Sequence, residues 1–212
     1  MHYIPALLPR LIEAIADIIE KKAIEVTALD QAIGDGDHVI NLQRGIQALM
    51  AQRNDLALLD WTTAWQKIGM IFMSTVGGAS GSLFGTLFVA MSKATPHPVL
   101  DLPCFAELFT QGVESVKLRG KSDVGEKTLL DVLVPVAIYL QEAAASGVSL
   151  SEVLTGVDRV ALAGMESTRG MLATKGRASF LEERSRNHID AGAKTTQLMI
   201  AAIVGVLLAT PA

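Results

Sequence analysis

At 212 residues the chain suits a single domain, with 50% hydrophobic but only 5% aromatic residues. The core is therefore expected from Ala, Leu, Ile, Val and Met, a mixture that leans towards helix. A formal net charge of −4 argues against nucleic acid as a partner, and a single cysteine, Cys104, leaves no disulfide within the chain.

The opening stretch "MHYIPALLPRLIEAIADIIEKK" has no basic segment before its apolar part, and Glu13 and Asp17 interrupt it. No signal peptide is expected there. Apolar residues at Leu7, Leu8, Leu11, Ile12, Ile15, Ile18, Ile19 and Ile24 predict one helix over residues 6–28. A second helix is predicted over residues 38–52, ended by Asn54 and Asp55. A third begins near Trp61, is interrupted by "GGASG" at residues 77–81, and restarts at "SLFGTLFVAMSKA". Pro96, Pro98 and Pro103 make the next break. Further helices are predicted over residues 104–119, 127–145, 150–170 and 193–209. The longest apolar run, residues 198–209, is shorter than the roughly 20 residues that span a bilayer and reads as a buried core helix. Residues 172–192 are polar and weakly periodic, with room for a short helix over 178–185. A connection that long inside a compact domain is usually functional. The expected architecture is all-α: about eight antiparallel helices in one domain spanning residues 1–212.

The stretch "LDQAIGDGDHVIN" places Asp30, Asp35 and Asp37 within eight positions, beside Gly34 and Gly36. Carboxylates this close repel one another unless a cation sits among them. A hard divalent ion such as Mg²⁺ takes carboxylate oxygens and keeps sites for water and phosphate. A solvated helix-capping turn is the plainer alternative. An EF-hand fails, because counting from Asp35 puts Val39 and Ile46 at positions that require polar or acidic ligands. "RGKS" at residues 119–122 resembles the end of a nucleotide-binding P-loop, but Ser115 stands where its first glycine belongs. The dinucleotide fingerprint fails as well, since Val39 follows Gly34 and Gly36 in place of its third glycine.

"TVGGASGSLFG" lies between two helical runs, so free N–H groups at a helix N-terminus there suit phosphate, with Ser80 and Ser82 placed to cap or bind, or else the small residues serve close packing. The loop at 175–192 supplies Lys175, Arg177, Arg184, Arg186, His188 and Asp190. Such a loop suits closure over a phosphate site or a solvated surface, and Asp190 also reads as an ordinary N-cap. His38 is placed to reach phosphate or ribose, whereas His2 and His97 receive no role. Cys104 reads as a small buried residue. No arrangement for covalent catalysis is present.

Four segments together resemble one family. "LDQAIGDGDHVINLQRG", "TVGGASGSLFGTLF", "RGKSDVGEKTLLDVLVP" and "KGRASFLEERSRNHIDAGA" are similar, in order, to the DhaL family, the nucleotide-binding L subunit of bacterial dihydroxyacetone kinase. The resemblance implies a closed barrel of eight antiparallel helices that binds ADP or ATP at one end through two Mg²⁺ ions. It implies Asp30, Asp35 and Asp37 as the Mg²⁺ ligands. His38 and Asn41 would contact phosphate or ribose, Ala79 and Ser80 phosphate, and Gly120 and Leu129 the adenine. Arg177, Asp190 and Gly192 would complete the nucleotide site. The family reaction is phosphoryl transfer to a short-chain ketose held by a separate K subunit. In some members a phosphotransferase-system subunit rephosphorylates bound ADP; in others ATP is used and K and L domains are fused. A chain without a K domain leans towards the first arrangement. Val39, Ser82, Glu126 and Ala191 depart from the usual Gly, Pro, Asp and Pro. A four-carbon ketose kinase, a fatty-acid kinase and a nucleotide-dependent regulatory protein are the rival readings. In every version the protein is expected in the cytoplasm, away from membranes and nucleic acid.

Overall fold

The computed structural model describes residues 5–94 and 100–210. Within them are nine α-helices: α1 (Leu8–Lys21), α2 (Ala23–Ile33), α3 (His38–Leu56), α4 (Trp61–Thr75), α5 (Gly78–Ala94), α6 (Leu102–Gly120), α7 (Leu130–Ser146), α8 (Leu150–Ser167) and α9 (Ala191–Leu208). No strand is formed among the described residues. His2, His97, Pro96 and Pro98 lie outside them.

Local chemistry sets most of the boundaries. Asp60 caps α4 by accepting from the Thr63 N–H at 2.9 Å, and Asp101 caps α6 by accepting from Cys104 N–H at 2.9 Å. Ser149 and Glu152 form a reciprocal capping box at the start of α8. Gly147 ends α7 in the left-handed region, at φ 71°. Cys104, expected buried, is half-buried against the core beside the Asp101 cap, and burial raises its thiol pKa.

Three boundaries differ from the periodicity. The helix expected over 6–28 is two helices, because the chain bends at Lys22 (φ −103°, ψ 4°) and α2 runs on to Ile33. Asp30 therefore sits on the last turn of a helix. Asn54 and Asp55 do not stop α3, which reaches Leu56, since that leucine is fully buried and packing outweighs a weak local propensity. The helix expected from residue 127 starts at Leu130, because Lys127 takes a left-handed backbone at φ 62°.

The helices close into a ring. Packing runs α1, α3, α4, α5, α6, α7, α8, α9 and back to α1, so eight helices form the wall, and α2 stands outside the sequence, touching α3 and α9. Short connections set chain neighbours antiparallel. α9 is long and apolar enough to cross a membrane, and it closes the ring between α8 and α1; the apolar run expected to be buried is so only at Leu198, Met199 and Val204, the rest of residues 198–209 being partly or fully exposed. The ring surrounds a partly open apolar cavity of about 260 Å³, lined among others by Leu8, Ile12, Trp65, Phe72, Phe109 and Met199.

Few aromatics are present, but they are concentrated. Trp61, Trp65, Phe88 and Phe72 stack along α4 and α5 with centroids 4.7 to 5.7 Å apart, and Phe84 meets Phe72 tilted by 45°. They form part of the core that composition alone assigned to aliphatic residues. Where backbones approach, glycine is required. Pro135 has no N–H for the Asp131 carbonyl, and α8 comes so close there that a Cβ on Gly164 would lie 2.2 Å from that oxygen.

Candidate functional site

The acidic turn links α2 to α3. Gly36 is left-handed at φ 78°, and a Cβ on Gly34 would sit 2.3 Å from Asp30 Oδ1. These two glycines let the chain reverse tightly enough to gather Asp30, Asp35 and Asp37, whose carboxylate oxygens lie within 4.8 Å of one another. Asp37 is the N-cap residue of α3, but its side chain does not cap. Asp30 does so from the preceding helix, accepting from His38 N–H at 3.1 Å through Oδ2. Asp35 meets the Arg177 guanidinium at 2.8 Å. The donor set is one hard oxygen from each of three neighbouring carboxylates, which fits a divalent cation with open positions.

His38 leads from this turn to two other helices. Its Nδ1 lies 3.2 Å from Ser80 Oγ on the first turn of α5, and its Nε2 lies 2.9 Å from Thr195 Oγ1 on α9. Burial lowers its pKa, against the pull of Asp30 and Asp37. Asn41, one turn further along α3, lies under the glycine turn: a Cβ on Gly77 would meet its Oδ1 at 2.6 Å. Gly78 starts α5 at φ 68°, so Ala79 and Ser80 occupy the helix end where N–H groups lack intrahelical partners.

Ala79 also lines a pocket of about 210 Å³ with Gly120, Leu129, Thr128, Arg119 and Gly176. Ala79, Gly120 and Leu129 thus share one wall. Ser82 accepts from Arg119 Nε at 2.8 Å, bracing that wall. Because Gly176 is in the pocket and Arg177 is on Asp35, the pocket and the acidic turn are neighbours under the same loop.

That loop is a 3-10 segment over Arg177–Ser185, close to the short helix expected at 178–185, with a left-handed kink at Glu182. Its start is tied down by Glu126, which accepts from the Thr174 hydroxyl at 2.8 Å and lies 3.4 Å from Lys175 Nζ. The Thr174 hydroxyl, then the Asp123 N–H, lower the Glu126 pKa to about 2. Its far end is tied by Lys127. This lysine is only 1% exposed and donates to the carbonyls of Thr168 and His188. Burial lowers its pKa, opposed by Asp190 and Asp131.

Asp190 is the N-cap of α9, accepting from Ala193 N–H at 2.7 Å. Burial pushes its pKa up to about 6, against that N–H and Lys127. Gly192 follows in the first turn of α9, where a Cβ would lie 3.8 Å from Leu129 Cβ. All twelve residues singled out from the sequence therefore fall on one contiguous end of the ring. Sequence reasoning missed Thr195, Lys127, Thr128 and the Ser82–Arg119 pair. Ser82 was offered by the sequence as a capping or binding hydroxyl without its partner Arg119, Glu126 stood out only as a departure from a family pattern, and Thr195 and Lys127 carried no signal at all.

An all-α ring with a carboxylate trio, a helix N-terminus and a pocket at one mouth defines a class of helical domains whose mouth has the chemistry to receive a cation beside an anion. The chain matches the DAK2 domain over residues 32–205 and belongs to that family. It is 42% identical over 176 residues to the ADP-binding subunit DhaL of the PEP-dependent dihydroxyacetone kinase 1 of Listeria innocua, covering 83% of each chain. It is 37% identical over 185 residues to the corresponding Escherichia coli subunit, covering 87% of this chain and 88% of that one. The DhaL resemblance read from the four motifs is thereby borne out. The fold is shared with the dihydroxyacetone kinase of C. freundii solved with AMP-PNP and Mg²⁺ (TM-score 0.72, 22% identity). That match covers 97% of this chain and 34% of the other.

Proposed function

We propose that the whole chain, residues 1–212, is the ADP-binding L subunit of a dihydroxyacetone kinase, a phosphotransferase acting with a separate K-type subunit that holds the ketose. One observation carries the reading. The carboxylate trio, the free N-terminus of α5 and the 210 Å³ pocket adjoin at one end of the ring, in the order that metal, phosphate and base of one nucleotide require.

In this reading Asp30, Asp35 and Asp37 hold Mg²⁺, two ions in all, which neutralise phosphate charge when bound. The α5 N-terminus at Ala79 and Ser80 receives phosphate, and Asn41 braces the turn that aims it. Gly120 and Leu129 face the base. Arg177 exchanges Asp35 for the nucleotide, while Asp190 and Gly192 fix the α9 end of the site. His38 acts through Ser80. No side chain here is a nucleophile, so catalysis rests on positioning and charge neutralisation. The phosphoenolpyruvate dependence of the two relatives supports a phosphotransferase-system subunit as phosphoryl donor to retained ADP. A cytoplasmic protein follows from the same partners.

The test is to denature the purified chain and identify what it releases. ADP with Mg²⁺ supports the reading. A chain that takes up neither Mg·ADP nor Mg·ATP overturns it. Turnover of ATP with a K-type partner, without ADP retention, moves the protein to the ATP-dependent arrangement, and preference for a four-carbon ketose changes the acceptor.

A further inference from the structure

Ser80, His38 and Thr195 form a line of three polar side chains across α5, α3 and α9. Thr195 is fully buried, and its hydroxyl lies 3.1 Å from the carbonyl oxygens of both Ala191 and Gly192 in its own helix. A neutral imidazole carries one proton, on one nitrogen, and accepts at the other. The two tautomers satisfy the line unequally.

With the proton on Nε2, each hydrogen has a protein acceptor. His38 Nε2–H donates to Thr195 Oγ1, Thr195 O–H donates to the α9 carbonyls, and Ser80 O–H donates to His38 Nδ1. With the proton on Nδ1, His38 donates to Ser80 and Thr195 turns to Nε2. The Ser80 hydrogen then has no protein acceptor among the described residues and is left to solvent. A buried threonine in a helix also donates habitually to the carbonyl one turn back, which favours the first arrangement.

We infer that Thr195 is a positioning residue that selects the Nε2–H tautomer of His38 and so turns the Ser80 hydroxyl hydrogen away from the mouth of the ring. Ser80 then presents oxygen lone pairs outward. Phosphate at this helix end is met by backbone N–H groups, and the Ser80 oxygen serves a cation or a water bound to it. This role for Ser80 rests on the nucleotide-binding reading above; the tautomer does not.

The experiment has two parts. The first is ¹⁵N NMR of the ligand-free full chain at mildly alkaline pH, where histidines are neutral. Of the four histidines, His38 is assigned by the signal lost in His38→Gln. The expected result is a proton on Nε2, kept in Thr195→Ser and lost to a mixture in Thr195→Val. A proton on Nδ1 in the unaltered chain, or a tautomer unmoved by Thr195→Val, overturns the inference. Thr195→Val preserves shape, and the unperturbed remainder of its spectrum reports that it has folded; Thr195→Ser keeps the hydroxyl and serves as the rescue.

The second part measures ADP binding with and without Mg²⁺. Ser80→Ala and Thr195→Val are each expected to weaken Mg·ADP about fivefold, the worth of one hydrogen bond, and to leave metal-free ADP unchanged. Equal losses with and without metal would make Ser80 a phosphate donor and overturn its assignment as an acceptor. An unaltered chain that binds no ADP sinks the proposed function, while the tautomer measurement still decides the role of Thr195.

Discussion

The wall of the ring and its mouth are held by different forces. The wall is apolar packing: stacked aromatics on α4 and α5, aliphatic faces elsewhere, and glycines such as Gly164 where backbones meet. Its stability scales with buried area and tolerates no added volume. The mouth is polar and made of turns: three carboxylates, a helix end and a loop tied by Glu126 and Lys127. Like charges gathered there do not help folding, so the mouth relies on the wall to hold it in place. The difference teaches that substitutions should separate cleanly, wall changes altering stability and mouth changes altering ligand binding.

The strongest challenge to that separation is Lys127, a mouth residue buried like core. Lys127→Met leaves the Thr168 and His188 carbonyls without their donor and Asp190 without its cation. A loss of about 4 kcal/mol is expected in chemical denaturation. If stability is unchanged, the separation is sharper than the geometry implies. Gly164→Ala is the pure wall case. Its Cβ would press on the Asp131 carbonyl, costing about 3 kcal/mol, with Mg·ADP affinity unchanged in the folded fraction. Asp35→Asn is the pure mouth case. Mg·ADP affinity should fall about thirtyfold, roughly 2 kcal/mol, with helix content by circular dichroism unaltered. Unfolding of that variant would make the turn structural instead.

The smallest effect concerns pH. The Glu126 pKa, about 2 in the fold, lies below the usual 4.5, so its contribution is full above that value. It drains away as pH falls through that interval, because the protonated acid no longer accepts from Thr174 and Asp123. For a partly exposed group this amounts to about 1 kcal/mol. Glu126→Gln should lack that part of the acid-induced loss, and limited proteolysis should find residues 174–186 loosened at neutral pH.

Much of this was legible in the residues. Asp30, Asp35 and Asp37 stood out because crowded acids beside glycines are unfavourable without a purpose. The interruption at "GGASG" marked the α4–α5 turn, and the polarity of residues 172–192 marked the loop. Thr195 and Lys127 were illegible for a shared reason. A threonine one turn into a helix and a lysine in a turn are ordinary by type. Their roles come from neighbours 157 residues away in one case and 41 and 61 in the other. Val39 shows the same from the opposite side: odd as a replacement for glycine, it is 5% exposed and simply joins the core.

By itself, the sequence determined what is local: helix type, caps, turns that need glycine, and a cluster of acids within one turn. These follow from propensities and from hydrogen bonds spanning a few residues. Only the tertiary structure decided that α9 closes on α1, that the helix expected over 6–28 bends at Lys22 to put Asp30 on a helix end, and that His38 is held between Ser80 and Thr195. Those facts depend on which apolar faces find one another, and a face records that it must be buried without recording against what.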